Sequence, residues 1–111
     1  MGDTDNRDAY MIVTLDIRDF EQYTERYVTP LMGQFEKYGI EVASATAQPE
    51  VLEGEWPANW TVILKFPSLA VAREWYQSDE YAPLKALRIN ELTNGGSAVF
   101  VEAFDPSSLG L

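Results

Sequence analysis

An α+β fold, one four-stranded antiparallel sheet with its helices on one side, is what three features of this 111-residue sequence predict. Two segments, Tyr10 to Ile17 and Trp60 to Phe66, alternate side chains with the period of a strand. Each is followed by residues that turn apolar every three or four positions, the period of a helix. Two further extended stretches, Glu41 to Gln48 and Ser97 to Phe104, complete the order strand, helix, strand, strand, helix, strand. That order is the split βαβ pattern of a ferredoxin-like sheet, which places both helices on one face.

Residues 1–8, MGDTDNRD, read as a flexible acidic N-terminal tail, and residues 9–104 as one domain. The first strand sets Met11, Val13, Leu15 and Ile17 against Tyr10, Ile12, Thr14 and Asp16, so its two faces are unequal. Asp19 with Gln22 three residues on resembles a capping box. From there Phe20, Tyr23, Tyr27, Leu31, Phe35 and Tyr38 define one face of a helix. Pro30 removes an N–H, which predicts a kink or break near Thr29, and Gly39 is placed to end the helix in a left-handed conformation. Glu41 to Gln48 is small and polar, suited to an edge or interface strand. Pro49 to Asn59 reads as a hairpin-like connection with a short extended piece at Val51 and Leu52.

In the third strand Trp60, Val62, Leu64 and Phe66 oppose Thr61, Ile63 and Lys65. Pro67 ends it and Ser68 caps the next helix, which buries Leu69, Ala72, Trp75 and Tyr76. Ser78 begins a second cap, and Pro83 is tolerated near that helix's start. Thr93 to Gly96 marks a turn before the last strand, and residues 105–111 read as a C-terminal tail.

Composition removes several functions. A net charge of −10, from 18 acidic and 8 basic residues, repels a phosphate backbone, so nucleic acid is not an expected partner. No apolar run approaches the roughly 18 residues of a membrane span, and the acidic N-terminus is unlike a signal peptide. Without cysteine there is neither a disulfide nor a thiolate, and a reducing, cytoplasmic setting is the default reading. Without histidine the usual catalytic base, proximal haem ligand and zinc-site residue are missing. No glycine-rich phosphate loop or metal-ligand cluster is present, and no cofactor is expected.

One residue breaks the apolar pattern. Tyr81, Leu84, Arg88 and Leu92 fall on one stripe, so Arg88 points where apolar side chains point. A guanidinium there needs an anion, because a lone buried charge costs several kcal/mol. Either Glu53, Glu91 or Glu102 supplies it, or the head reaches solvent past its aliphatic stem, or Arg88 receives the carboxylate of a bound small molecule. The sheet's second face, with Tyr10, Ile12, Thr14, Thr61 and Ile63, is too apolar for open water and too polar for a dense core. It suggests a homodimer whose sheets face each other.

Several stretches together resemble the DUF1330 family of dimeric alpha-beta barrel proteins, over about residues 9–104. They are DFEQYTERY (19–27), Tyr38 with Gly39, VLEG (51–54) with Trp56, FPS (66–68), WYQSDEY (75–81), and the ALR ending at Arg88. The family often carries a second glycine after the first helix; this chain has Ile40. The resemblance extends to a wider fold group that includes cofactor-free monooxygenases, lactone isomerases and haem-binding barrels. It implies a pocket between sheet and helices. Members of those enzyme groups commonly use a histidine, which this chain lacks.

Two functional classes follow. One is a dimeric binding protein in which Arg88 holds an acidic group and Tyr81, Tyr23, Glu53 and Trp56 line the pocket. The other is a cofactor-independent monooxygenase or isomerase, with Asp16 or Glu53 as a base of raised pKa and Tyr23 or Tyr81 as hydroxyl donors. Packing alone would equally explain the aromatic residues.

Overall fold

Strand β1, Ala9–Ile17, is the centre of the molecule: it pairs antiparallel with β3 (Trp60–Phe66) on one side and β4 (Thr93–Glu102) on the other. Strand β2, Glu41–Thr46, adds to the outer edge of β3, giving the order β2-β3-β1-β4. This computed structural model describes residues 7–111, so most of the stretch expected as an acidic tail lies outside the described residues. Arg7 and Asp8 are held to the sheet: Arg7 pairs with Glu102 at 3.6 Å and Asp105 at 3.3 Å, and Asp8 with Lys65 at 3.5 Å.

Register turns alternation into two faces. Met11 lies opposite Leu64 and Phe100, and Val13 opposite Val62 and Ala98, so these residues share the helix-covered face. Ile12 lies opposite Ile63 and Val99 on the other face, which no helix among the described residues covers. The fold is the expected α+β, four-stranded antiparallel arrangement.

The helical layer departs from expectation. Pro30 does not break the first helix; α1 (Phe20–Tyr23) runs into α2 (Thr29–Tyr38) through a π segment, Thr24–Val28. The wider turn relieves the clash between a proline ring and the carbonyl four residues back, and Thr29 donates from both its N–H and its hydroxyl to the Thr24 carbonyl. Asp19 caps as expected, accepting from the N–H groups of Glu21 and Gln22. Gly39, at φ 71°, ends α2, and Ile40 is buried immediately after it, so one glycine suffices for the turn. Ser68 caps α3 (Leu69–Tyr76) through Val71 N–H. Helix α4 (Ala82–Leu87) passes into a second π segment, Arg88–Leu92.

Thr93 to Gly96 is not a turn: these residues are the first part of β4. Gly96 sits in that strand because a Cβ there would fall on the carbonyl oxygen of Thr14, so only glycine lets β4 approach β1 this closely. No regular element forms in 47–59, and the extended piece expected at Val51 and Leu52 is irregular chain. After β4, Pro106–Leu109 makes a 3₁₀ turn capped by Asp105. No helix among the described residues is long and apolar enough to cross a membrane.

Candidate functional site

Between the helices and the sheet is a cavity of about 170 Å³ whose walls are almost wholly apolar. Met11, Val13 and Leu15 of β1 and Val62 and Leu64 of β3 form its floor, because alternation sends these side chains to the helix face. Tyr23, Tyr27, Leu31 and Phe35 form its roof from the stripe of the first helix. Met32, Val42 and Ala45, all exposed, mark its mouth between α2 and the edge strand β2. Among the described residues Arg88 is the one charged residue in the wall.

Arg88 is 7% exposed, and among the described residues it pairs with no carboxylate. The acids expected to neutralise it are occupied or distant in function. Glu91 pairs with Arg26 at 2.8 Å, Glu102 pairs with Arg7, and Glu53 lies exposed in the loop after β2. Tyrosines surround the guanidinium instead. Burial works against its charge, but Tyr81, Tyr27 and Tyr76 favour it, and the net direction of its pKa is upward, so Arg88 stays cationic.

The two π segments bring these groups together. Tyr27 belongs to the first and Arg88 begins the second, and Arg26–Glu91 joins the same two segments at the surface. An i→i+5 turn rotates the side chains that follow relative to an α-helix, and such turns recur at functional sites. The Tyr27 hydroxyl lies 2.6 Å from that of Tyr81, which is 0% exposed. Tyr23 stacks on Tyr27 with ring centres 5.1 Å apart, and Trp75 packs on Tyr81 at 4.1 Å. Burial pushes the Tyr23 hydroxyl up to about 12 despite the opposing charge of Arg88, and pushes Tyr27 well above its ordinary value. At neutral pH the described residues of the cavity wall therefore present one cation, Arg88, and the neutral hydroxyl groups of Tyr23 and Tyr27.

The expected site residues divide into two sets. Arg88 and Tyr23 line the cavity, and Tyr81 lies fully buried behind its wall, bonded to Tyr27. Glu53 is exposed elsewhere, and Trp56 donates its indole N–H to Thr61 Oγ1 at 2.8 Å, on the sheet face opposite the cavity. Asp16 lies between buried Leu15 and Ile17 but is exposed on the face of β1 away from the cavity, and accepts from Asn59 Nδ2 at 3.2 Å. Tyr27 and Trp75 complete the cavity from positions whose helical spacing announced burial but not what they face. Among the described residues no group of three or more Asp or Glu is placed to hold a metal ion.

A family model described as a domain of unknown function, DUF1330, matches residues 8–104. No curated protein matches the chain. Among solved structures, RPA0582, a protein of unknown function from Rhodopseudomonas palustris, superposes with a TM-score of 0.67 at 16% identity, covering 91% of this chain and 85% of that one. SnoaB, a cofactor-independent oxygenase from Streptomyces nogalater, superposes at 0.58 with 13% identity, covering 89% and 95%. A dimeric protein of unknown function with a ferredoxin-like fold, from Bacteroides fragilis, superposes at 0.51 with 16% identity, covering 86% and 96%. At these identities the likeness is one of fold.

Proposed function

The chain belongs to the DUF1330 family, and from that footing we propose that it is a homodimeric binding protein taking a small acidic, largely apolar molecule beside Arg88. The observation that carries this reading is Arg88 itself: a buried cation without a carboxylate partner among the described residues, in the wall of an otherwise apolar cavity. Desolvating a charge is unfavourable, and a ligand carboxylate would supply the missing counter-charge in a geometry that suits a planar fork.

A second copy belongs over the open sheet face, where Val99 and Val101 are 51% and 41% exposed beside Tyr10, Ile12 and Ile63. The cavity mouth lies on the helix side, so pairing of the sheets leaves it open. Exposure of Asp16 and Glu53, both outside the cavity wall, weighs against turnover with either as a desolvated base.

The test is binding of a panel of small carboxylic acids, followed by the fluorescence of Trp60 and Trp75 in the cavity wall, to the wild type and to Arg88→Ala. At least one acid is expected to bind saturably and to lose tenfold or more in affinity in the variant. Equal affinity in a folded Arg88→Ala protein would remove the reading.

A further inference from the structure

Resting on that reading, we propose a narrower ligand class: a single-ring aromatic monocarboxylate, its carboxylate on Arg88 and its ring against Trp75 and Phe35. Size comes first. A cavity of about 170 Å³ is close to the engineered apolar cavity of about 150 Å³ that takes up benzene. It holds one ring, while a long acyl chain would have to project through the mouth between Met32 and Val42.

Charge comes second. Among the described residues Arg88 is the sole ionic residue in the wall, so one carboxylate is matched and a second would be left unpaired among apolar side chains. The tyrosine pair adds a donor. Tyr27 and Tyr81 have two hydroxyl hydrogens between them, and their mutual bond uses one. When Tyr81 donates to Tyr27, the Tyr27 hydrogen is free for an acceptor in the cavity, and with its raised pKa that hydrogen is retained at neutral pH.

The walls come third. Five of the lining residues are aromatic, Tyr23, Tyr27, Phe35, Trp60 and Trp75, and Phe35 already meets Trp75 edge-on with ring centres 5.8 Å apart. Aromatic rings gain from edge-to-face and offset contacts beyond the area they bury, which favours a flat ring over a flexible chain of equal size.

The experiment compares three probes on the full chain by calorimetry and tryptophan fluorescence: benzoate, hexanoate and benzyl alcohol. Benzoate is expected to bind at least tenfold more tightly than either of the others. Arg88→Gln should abolish its advantage over benzyl alcohol. Hexanoate binding as well as benzoate, still dependent on Arg88, overturns the aromatic class and leaves the broader reading intact. Benzyl alcohol binding as well as benzoate, or neither acid binding, overturns both. Should Arg88→Gln fail to fold, Ala45→Phe places a ring at the exposed mouth and leaves Arg88 untouched. A loss of at least tenfold in benzoate affinity there supports the siting, and unchanged affinity overturns it.

Discussion

The hydroxyl oxygens of Tyr27 and Tyr81 lie 2.6 Å apart across 54 residues of sequence, and their contact joins the two halves of the helical layer above the sheet. Each π segment has one neighbour in that contact: Tyr27 lies within the first, and Tyr81 precedes the short helix that leads to the second.

Removing either hydroxyl leaves the other buried without its partner. Tyr27→Phe and Tyr81→Phe should each lower stability by about 1–2 kcal/mol. The double variant should cost less than the sum of the two, because no orphaned hydroxyl remains. Urea unfolding of the four proteins measures the coupling, and strictly additive losses would deny that the bond contributes.

Alkaline pH should weaken the fold. Tyr23 ionises near 10.0 in the unfolded chain and near 12 in the fold, and Tyr27 shifts in the same direction. Between those values the native state keeps a proton that the unfolded state has released. Stability is then fully present below pH 10 and falls as pH rises toward 12, by on the order of 2–3 kcal/mol for Tyr23. Denaturant midpoints across that range, read beside tyrosinate absorbance, check the sign; a midpoint that holds steady while the absorbance rises contradicts it.

Gln34 clamps the two helical halves from outside the cavity. Its Oε1 accepts from the Trp75 indole at 3.0 Å and its Nε2 donates to the Glu80 carbonyl at 3.0 Å. Gln34→Ala orphans a buried indole N–H and should cost about 1–3 kcal/mol. Thermal unfolding measures it, and a variant as stable as the wild type would show that the clamp contributes nothing.

Two glycines should respond in opposite ways to alanine. Gly33 lies within α2 with open space where a Cβ would stand, so Gly33→Ala should stabilise by about 0.5–1 kcal/mol. Gly96, at φ 150°, would drive a Cβ onto the β1 backbone, so Gly96→Ala should cost more than about 2 kcal/mol or shift β4. Calorimetric melting of the pair gives both signs, and losses of equal size would refute the packing argument.

Charge placed on the open sheet face should separate the proposed dimer. Ile63 lies opposite Ile12 in the middle of that face, and Ile63→Asp desolvates a carboxylate if a second copy packs there. Sedimentation at micromolar concentration should give a dimer for the wild type and a monomer for the variant. A wild type that sediments only as monomer removes the interface.

Local chemistry carried much of this molecule. The alternation of β1 and β3 named Met11, Val13, Leu15, Leu64 and Phe66 as helix-facing, and all are buried. Asp19, Ser68 and Gly39 act at the helix ends where their side chains or φ freedom predict. The apolar stripe through Tyr81 and Leu92 put Arg88 inside. These features depend on residues within a few positions of each other, which is the range over which periodicity and capping operate.

What local pattern did not contain was decided by contacts between distant segments. Pro30 looks like a break until the helix can widen by one residue per turn, and the Gly95–Gly96 pair looks like a turn until β1 lies against it. Nor does spacing tell which acid meets Arg88. Glu91 and Glu102 are drawn off by Arg26 and Arg7, and Trp56 is turned to the opposite face by its bond to Thr61. Pairing between charges and hydroxyls far apart in sequence depends on where the chain closes in space. The arginine was therefore visible in the sequence as buried, whereas its lack of a carboxylate among the described residues, its ring of tyrosines and the cavity before it belong to the tertiary structure alone.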